Sequence, residues 1–124
     1  MAVVLIVEDE EQVRVLAESY LQEQGHQTVS AATVEEALAA LDATPHVDLL
    51  FTDIGLHRDI HAGIELANRA IERRPGLKVL YTTGQGVTDG LQALFVPDSA
   101  VLPKPYTVDQ LQGVLANGFG IGPS

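Results

Sequence analysis

The apolar residues of this chain fall into five short runs, and each run is followed by a segment whose apolar residues have helical spacing. The runs predict five strands, at residues 2–7, 27–31, 47–53, 77–81 and 100–102. In the segment after the first run, Val13, Ala17 and Leu21 recur every four positions, which is typical of one helical face. Strands and helices that alternate in this way predict an α/β fold, with a doubly wound five-stranded parallel sheet and helices on both faces.

Polar residues indicate where several of the predicted helices begin. Thr33 and Thr107 are followed three positions later by Glu36 and Gln110, a spacing typical of a capping box at a helix start. The segment at residues 87–95 is predicted to form at most a short helix before Pro97. The remaining helices have the longer apolar stripe that packs against a sheet.

The composition sets the size of the fold and excludes two kinds of partner. With 124 residues, of which 46% are hydrophobic, the chain can form one folded domain but is too short for two. We predict a domain at residues 1–118 and a flexible, glycine-rich tail at residues 119–124. The net charge of −10 argues against nucleic acid and anionic membrane, because both require a basic surface on the protein.

The absence of cysteine excludes disulfides and thiolate metal sites. The apolar run at residues 2–7 is too short for a membrane span or the core of a signal peptide, and four acidic residues follow it. These features together predict a cytoplasmic protein.

Acidic residues stand where two of the predicted strands end. Glu8 and Asp9 follow the first strand, and Asp53 ends the third. Because the carboxyl ends of parallel strands share one edge of the sheet, the three acids are expected to converge there. Two carboxylates about 4 Å apart repel by roughly 4 kcal/mol at an effective dielectric constant of about 20, so such a cluster calls for a cation. A hard divalent ion with oxygen ligands meets that need.

Four short motifs follow the first, third, fourth and fifth strands: Val-Glu-Asp-Glu at residues 7–10, Phe-Thr-Asp-Ile at 51–54, Tyr-Thr-Thr-Gly at 81–84 and Leu-Pro-Lys-Pro-Tyr at 102–106. With these motifs in this order, nearly the whole chain resembles the receiver domain of two-component response regulators. The resemblance implies a flavodoxin-like fold with strand order 2-1-3-4-5. It also implies a cis peptide bond between Lys104 and Pro105.

The resemblance also implies roles for individual residues. Asp53 would accept a phosphoryl group, Thr83 would be the switch hydroxyl, and Lys104 would pair with the phosphoryl group. The implied ion is Mg²⁺, with Mn²⁺ as an alternative, and its implied ligands are Glu8, Asp9, Asp53 and the backbone carbonyl of Gly55. Thr82 competes with Thr83 for the switch role, and Thr83 is preferred because a small residue follows it.

We therefore predict a phosphorylation-controlled signalling module that is not an enzyme beyond its own phosphorylation and dephosphorylation. Its expected partners are a histidine kinase or phosphotransfer protein and a downstream protein target, and a weak homodimer stays open. One alternative is a Mg²⁺-dependent phosphohydrolase with an aspartyl-phosphate intermediate, which would need a second acid near Asp53, where Gly55 stands. The other is a phosphorylation-independent interaction domain, against which the complete set of acids, hydroxyl and lysine argues.

The chain departs from the family pattern in two places. The loop at residues 56–62 is longer than usual and has His57 where many members have proline. His57 and His61 suggest a metal site, but a solvated loop is the favoured interpretation. Val101 occupies the position of a switching aromatic residue, so a switch would need Tyr81, Tyr106 or a backbone shift instead.

Overall fold

The elements of the sheet and its helices follow one another in strict alternation. The computed structural model describes residues 1–57 and 59–123, so Arg58 of the predicted loop and Ser124 of the predicted tail lie outside the described residues. The strands and helices are β1 (Val3–Val7), α1 (Glu11–Glu23), β2 (Gln27–Ala31), α2 (Val34–Ala43), β3 (Leu49–Asp53), α3 (Ala62–Arg73), β4 (Lys78–Thr83), α4 (Asp89–Gln92), β5 (Ala100–Pro103) and α5 (Val108–Phe119).

All neighbouring strands are parallel, in the order β2-β1-β3-β4-β5. The predicted fold class and strand order are therefore confirmed. Successive residues of a strand point to opposite faces, so each central strand supplies both layers of the core. In β1, Leu5 and Val7 pack with α2 and α3 on one face, whereas Val4 and Ile6 pack with α1 and α5 on the other.

The two predicted capping boxes differ in the structure. At α5, Thr107 accepts a hydrogen bond from the N–H of Gln110, whose side chain accepts from the N–H of Thr107 in return. At α2, Thr33 accepts from the N–H of Glu36, but the Glu36 carboxylate accepts from the N–H of Ala32 instead. The α5 box is therefore complete. At α2, the Glu36 side chain accepts from the residue before the N-cap instead of from the N-cap itself.

Helix α5 continues past Gly118 to Phe119, whose ring is buried. It does so because Phe119 lies on the same helical face as Leu111 and Leu115, so one more turn buries another aromatic ring. The helix thus ends one residue inside the predicted tail, and the division at residue 118 stays a prediction. Within the described residues, no helix has the length and apolar character needed to cross a bilayer.

Candidate functional site

The register of the sheet brings the first and third strand ends side by side. Val7 of β1 is the partner of Thr52 of β3, so the acids that follow these residues meet at the carboxyl edge. Glu8 and Asp53 are almost fully buried there. One carboxylate oxygen each from Glu8, Asp9 and Asp53 lies within 4.8 Å of the others. The predicted convergence of three carboxylates is therefore present in the fold.

Gly63 allows α3 to approach the end of β3 closely. A Cβ atom built on Gly63 would lie only 1.8 Å from the carbonyl oxygen of Asp53, so any side chain would displace one of the two segments. The N–H of Gly63 donates to the carbonyl of Ile54 at 2.7 Å, which holds the backbone just beyond Asp53. The sequence analysis did not identify Gly63, although a glycine in the first turn of a helix was a usable signal.

Lys104 reaches the acids from the end of β5. Its N–H donates to the carbonyl of Thr83 at 2.8 Å, and its peptide bond to Pro105 is cis, as the resemblance implied. Its Nζ lies 2.7 Å from Asp53 Oδ2 and 2.5 Å from Glu8 Oε1. The ammonium is therefore shared by two buried carboxylates rather than paired with one.

Glu10 is a further acid at this edge that the sequence analysis did not single out. Its Oε1 lies 3.6 Å from Lys104 Nζ, and its side chain is mostly exposed. The N–H of Glu10 donates to Glu8 Oε2 at 3.1 Å, which anchors the second oxygen of the Glu8 carboxylate. In the sequence, Glu10 is one of four consecutive acids that lead into α1. Its approach to Lys104 cannot be predicted from that position because it depends on the fold.

Burial controls the proton affinity of this cluster. It raises the pKa of Glu8 from 4.5 to about 7, and the nearby charge of Asp53 adds to the effect while Lys104 opposes it. Burial also disfavours the charged form of Lys104, but its bonds to Asp53 and Glu8 together outweigh this and raise its pKa above the ordinary value. Burial and the charge of Glu8 raise the pKa of Tyr106 to about 12. The lysine thus stays charged at neutral pH, whereas burial makes Glu8 easier to protonate than an exposed glutamate.

The buried oxygen Glu8 Oε1 tests whether the acids suit a cation. It accepts no hydrogen bond of regular geometry from the described residues, although the charged Lys104 is close to it. A buried carboxylate oxygen without a hydrogen bond is costly, and a divalent ion is a ligand that satisfies it. The three acids therefore fit a hard divalent ion, and Glu8, Asp9 and Asp53 form the one group of three potential metal ligands among the described residues.

The two adjacent threonines of β4 have different hydrogen bonds. The Thr82 hydroxyl donates to the carbonyl of Leu102 at 2.7 Å, so its proton is used inside the sheet. The Thr83 hydroxyl accepts a bond from the N–H of Gln85 at 3.1 Å, which leaves its own proton available for another acceptor. Thr83 also lines a cavity of about 310 Å³ together with Asp53 and Lys104.

The loop histidines do not share a ligand position. The ring of His57 donates from Nε2 to the carbonyl of Ala32 at 2.8 Å, and the backbone N–H of His57 donates to Asp9. His61 is exposed and lines the cavity above Asp53. Among the described residues, neither histidine belongs to a group of three potential metal ligands, so the favoured interpretation of a solvated loop is retained.

The sequence model of the response regulator receiver domain matches residues 4–116. The chain belongs to this family. Autoinducer 1 sensor kinase/phosphatase LuxN of Vibrio campbellii is 30% identical over 114 residues, which are 92% of this chain. The chain spans only 13% of the length of that protein.

Two solved structures show how closely this receiver domain keeps the family fold. A response regulator receiver protein of Sinorhizobium medicae superposes with a TM-score of 0.83 at 25% identity, covering 96% of this chain and 94% of that one. TrrA of Thermotoga maritima, determined in complex with Mg²⁺-BeF, superposes with a TM-score of 0.78 at 26% identity, covering 96% and 100%. The chain is thus a signalling module of the two-component kind.

Proposed function

We propose that this receiver domain accepts a phosphoryl group on Asp53 from a histidine kinase or phosphotransfer protein. Phosphorylation then switches a surface that binds a downstream protein. The observation that carries the proposal is the meeting of the Asp53 carboxylate with Glu8, Asp9 and the Lys104 ammonium, beside a cavity that Asp53 and Lys104 line. A buried carboxylate in such a setting has both a route to an incoming group and charges arranged around it.

We further propose that the acid cluster holds Mg²⁺, with Mn²⁺ as an alternative. The ligands are Glu8, Asp9, Asp53 and the carbonyl of Gly55. When bound, the ion supplies positive charge that offsets the acids and the incoming phosphoryl group. The all-oxygen donor set, and the buried Glu8 Oε1 that accepts no regular hydrogen bond from the described residues, support this choice of a hard ion. The complex of TrrA with Mg²⁺-BeF is consistent with it.

In the transfer step, an oxygen of Asp53 forms a bond to phosphorus while the bond from phosphorus to a histidine nitrogen of the partner breaks. The electron pair of the broken bond remains on that nitrogen. Asp53 is held for this step by Gly55, whose N–H donates to Oδ1 at 3.2 Å, and by Lys104 at Oδ2. The raised pKa of Lys104 keeps the ammonium charged, so it can donate to a phosphoryl oxygen as charge builds there.

The Thr83 hydroxyl is the group that would report phosphorylation to the rest of the domain. Its proton is available to a phosphoryl oxygen, and its strand continues directly from Tyr81. Tyr81 is fully buried, stacks on Phe95 with ring centroids 4.5 Å apart, and accepts a hydrogen bond from the N–H of Val96 at 3.1 Å. These contacts support a path through β4 to the segment before β5, in place of an aromatic switch at Val101.

Intact mass after incubation with acetyl phosphate tests the proposal. With Mg²⁺, the wild type should gain the mass of one phosphoryl group, and without Mg²⁺ it should not. Asp53→Ala should lose the gain, because the acceptor oxygen is missing. Asp42→Ala, which removes an exposed carboxylate on α2, is the matched control and should be phosphorylated like the wild type.

An absent mass gain in folded wild type would contradict the proposal and favour the phosphorylation-independent interaction domain. Gln85 lines the same cavity, two residues after Thr83, and we propose that it affects the lifetime of the phosphoryl group by controlling the access of water. Gln85→Ala should change the rate at which the phosphorylated protein loses its group, and an unchanged rate would refute that role.

A further inference from the structure

His57 adopts a backbone conformation that is rare for a residue with a side chain. Its φ is +48°, in the left-handed region. It lies in a tight turn closed by Leu56 and Asp59, which exchange N–H to carbonyl hydrogen bonds of 3.0 and 2.9 Å. Such a conformation persists only where surrounding contacts over-determine it, and these contacts indicate what the turn is for.

Two hydrogen bonds from His57 reach distant parts of the chain. Its backbone N–H donates to Asp9 Oδ2 at 3.0 Å, across 48 residues. Its ring Nε2 donates to the carbonyl of Ala32 at 2.8 Å, across 25 residues. The carbonyl can only accept, so the proton is on Nε2. One loop residue thus joins the acid cluster to the segment just before α2.

Asp9 is the member of the cluster that most needs such support. Its side chain is only partly buried, in contrast to Glu8 and Asp53, which the sheet and Lys104 hold in place. A carboxylate with one oxygen fixed by an N–H has fewer orientations available, and its other oxygen is directed more consistently. Partners that orient a ligand from outside typically strengthen metal binding.

We propose that His57 is a positioning residue for the metal ligand Asp9. The backbone N–H orients the carboxylate, and the ring anchors the turn to Ala32 so that the N–H stays directed at Asp9. This inference rests on the metal site of the proposed function. A proline at position 57 would have no N–H and could not make the bond.

Linkage gives the proposal a second consequence. If the turn at His57 favours metal binding, metal binding must favour the turn to the same degree. Occupancy of the acid cluster would then stabilise the loop between β3 and α3 and its bond to Ala32. The long loop, which departs from the family pattern, would respond directly to the state of the site.

Calorimetric titration with Mn²⁺ tests the positioning role. His57→Gly keeps the backbone N–H and readily adopts a positive φ, but it removes the ring that anchors the turn. The dissociation constant for Mn²⁺ should rise about tenfold. His46→Gly removes an exposed imidazole at the opposite, amino edge of the sheet, away from the acid cluster, and it should bind Mn²⁺ like the wild type.

Asp9→Asn separates this inference from the proposed function. If the wild type binds no Mn²⁺, or binds no better than Asp9→Asn, the metal site itself is refuted. If Asp9→Asn binds weakly while His57→Gly binds like the wild type, the site stands and the role of His57 is overturned. His57→Asn, which also tolerates the left-handed conformation, repeats the test in case the glycine variant does not fold.

Amide hydrogen exchange provides a readout that does not depend on affinity. In the wild type, Mg²⁺ should slow exchange in the peptide containing residues 56–57. In His57→Gly the slowing at an equally saturating Mg²⁺ concentration should be smaller. Equal exchange with and without Mg²⁺ in a wild type that binds the ion would overturn the coupling between turn and site.

Discussion

The charged side chains at the two edges of the sheet differ in their bonding partners. At the amino edge, a cavity of about 780 Å³ is lined by the basic residues Arg73, Arg74 and Lys78. At the carboxyl edge, a smaller cavity of about 310 Å³ is lined by Asp53 and Lys104 among others. Size alone would point to the first cavity. The hydrogen bonds at each edge point to the second.

Two of the three cations named at the amino edge, Arg74 and Lys78, are bonded to the main chain. The Arg74 guanidinium donates to the carbonyls of Leu41, in the last turn of α2, and of Thr44, just after it, at 2.6 Å each. Lys78 Nζ donates to the carbonyl of Phe119 at 3.2 Å, where α5 ends. These cations satisfy carbonyl groups that helix ends leave without partners, so they stabilise the fold.

The charges of the carboxyl edge are bonded mainly to one another. Glu8, Asp53 and Glu10 all approach Lys104, and Glu8 Oε1 has no regular hydrogen bond among the described residues. An arrangement of this kind is not explained by stability, because two buried carboxylates share one ammonium and the desolvation of buried charges costs free energy. Charge and cavity volume therefore do not identify the functional edge. A buried carboxylate oxygen without a regular hydrogen bond does identify it.

The largest expected effect concerns the buried charge of Glu8. Its pKa is 4.5 when unfolded and about 7 when folded, so the folded state binds more protons between these values. Stability without metal should therefore fall as pH rises through this window, by about 3 kcal/mol in total. Urea unfolding of wild type and Glu8→Gln in EDTA measures it. As the pH rises through this window, the free energy of unfolding of the wild type should fall relative to that of Glu8→Gln. The same pH dependence in both proteins would show that the buried charge of Glu8 does not cause the loss of stability.

A smaller effect is expected at the amino edge. Arg74→Ala should lower the free energy of unfolding by about 2 kcal/mol, because the bonds to the Leu41 and Thr44 carbonyls are lost. Arg74→Lys keeps the charge but not the planar fork of donors, so it should recover only part of the loss. Mn²⁺ affinity should not change in either variant. A weakened metal site in Arg74→Ala would break the distinction between the two edges.

The smallest effect is expected for the exposed ion pair of Arg73 and Asp42, beside the cavity of the amino edge. Arg73 Nη1 lies 3.1 Å from Asp42 Oδ2, and the two side chains are 37% and 62% exposed. Water screens such a pair, so Arg73→Ala should change the free energy of unfolding by less than about 0.5 kcal/mol. Urea unfolding of Arg73→Ala, Asp42→Ala and the double variant measures the coupling. A coupling above 1 kcal/mol would show that cations of this edge stabilise the fold even when exposed.

Much of the fold was accessible from the sequence because it depends on local patterns. Apolar runs and helical spacing predicted all ten elements, and the short α4 agrees with the short helix predicted before Pro97. The convergence of Glu8, Asp9 and Asp53 followed from the rule that parallel strand ends share an edge. The detail of the Thr33 cap did not follow, because its return bond depends on which N–H the Glu36 side chain can reach.

The residues that the sequence did not reveal act through contacts between distant segments. Gly63 matters because α3 passes close to the end of β3, and Glu10 matters because Lys104 arrives from β5. The sequence around His57 indicates only a solvated loop. Its bond to Asp9 is not evident there, because the two residues are 48 positions apart. The spacing of residues within one segment does not show which distant segments come into contact.

The sequence by itself determined the alternation of strands and helices, the order in which chemical groups leave the strands, and the family to which the chain belongs. Those properties depend on side-chain periodicity and on motifs that are continuous in the chain. Only the tertiary structure decided which oxygen of Glu8 lacks a regular hydrogen bond, which threonine keeps its hydroxyl proton available, and where the turn at His57 is anchored. These properties depend on distances of a few ångströms between segments that are far apart along the chain, and such distances are set by packing.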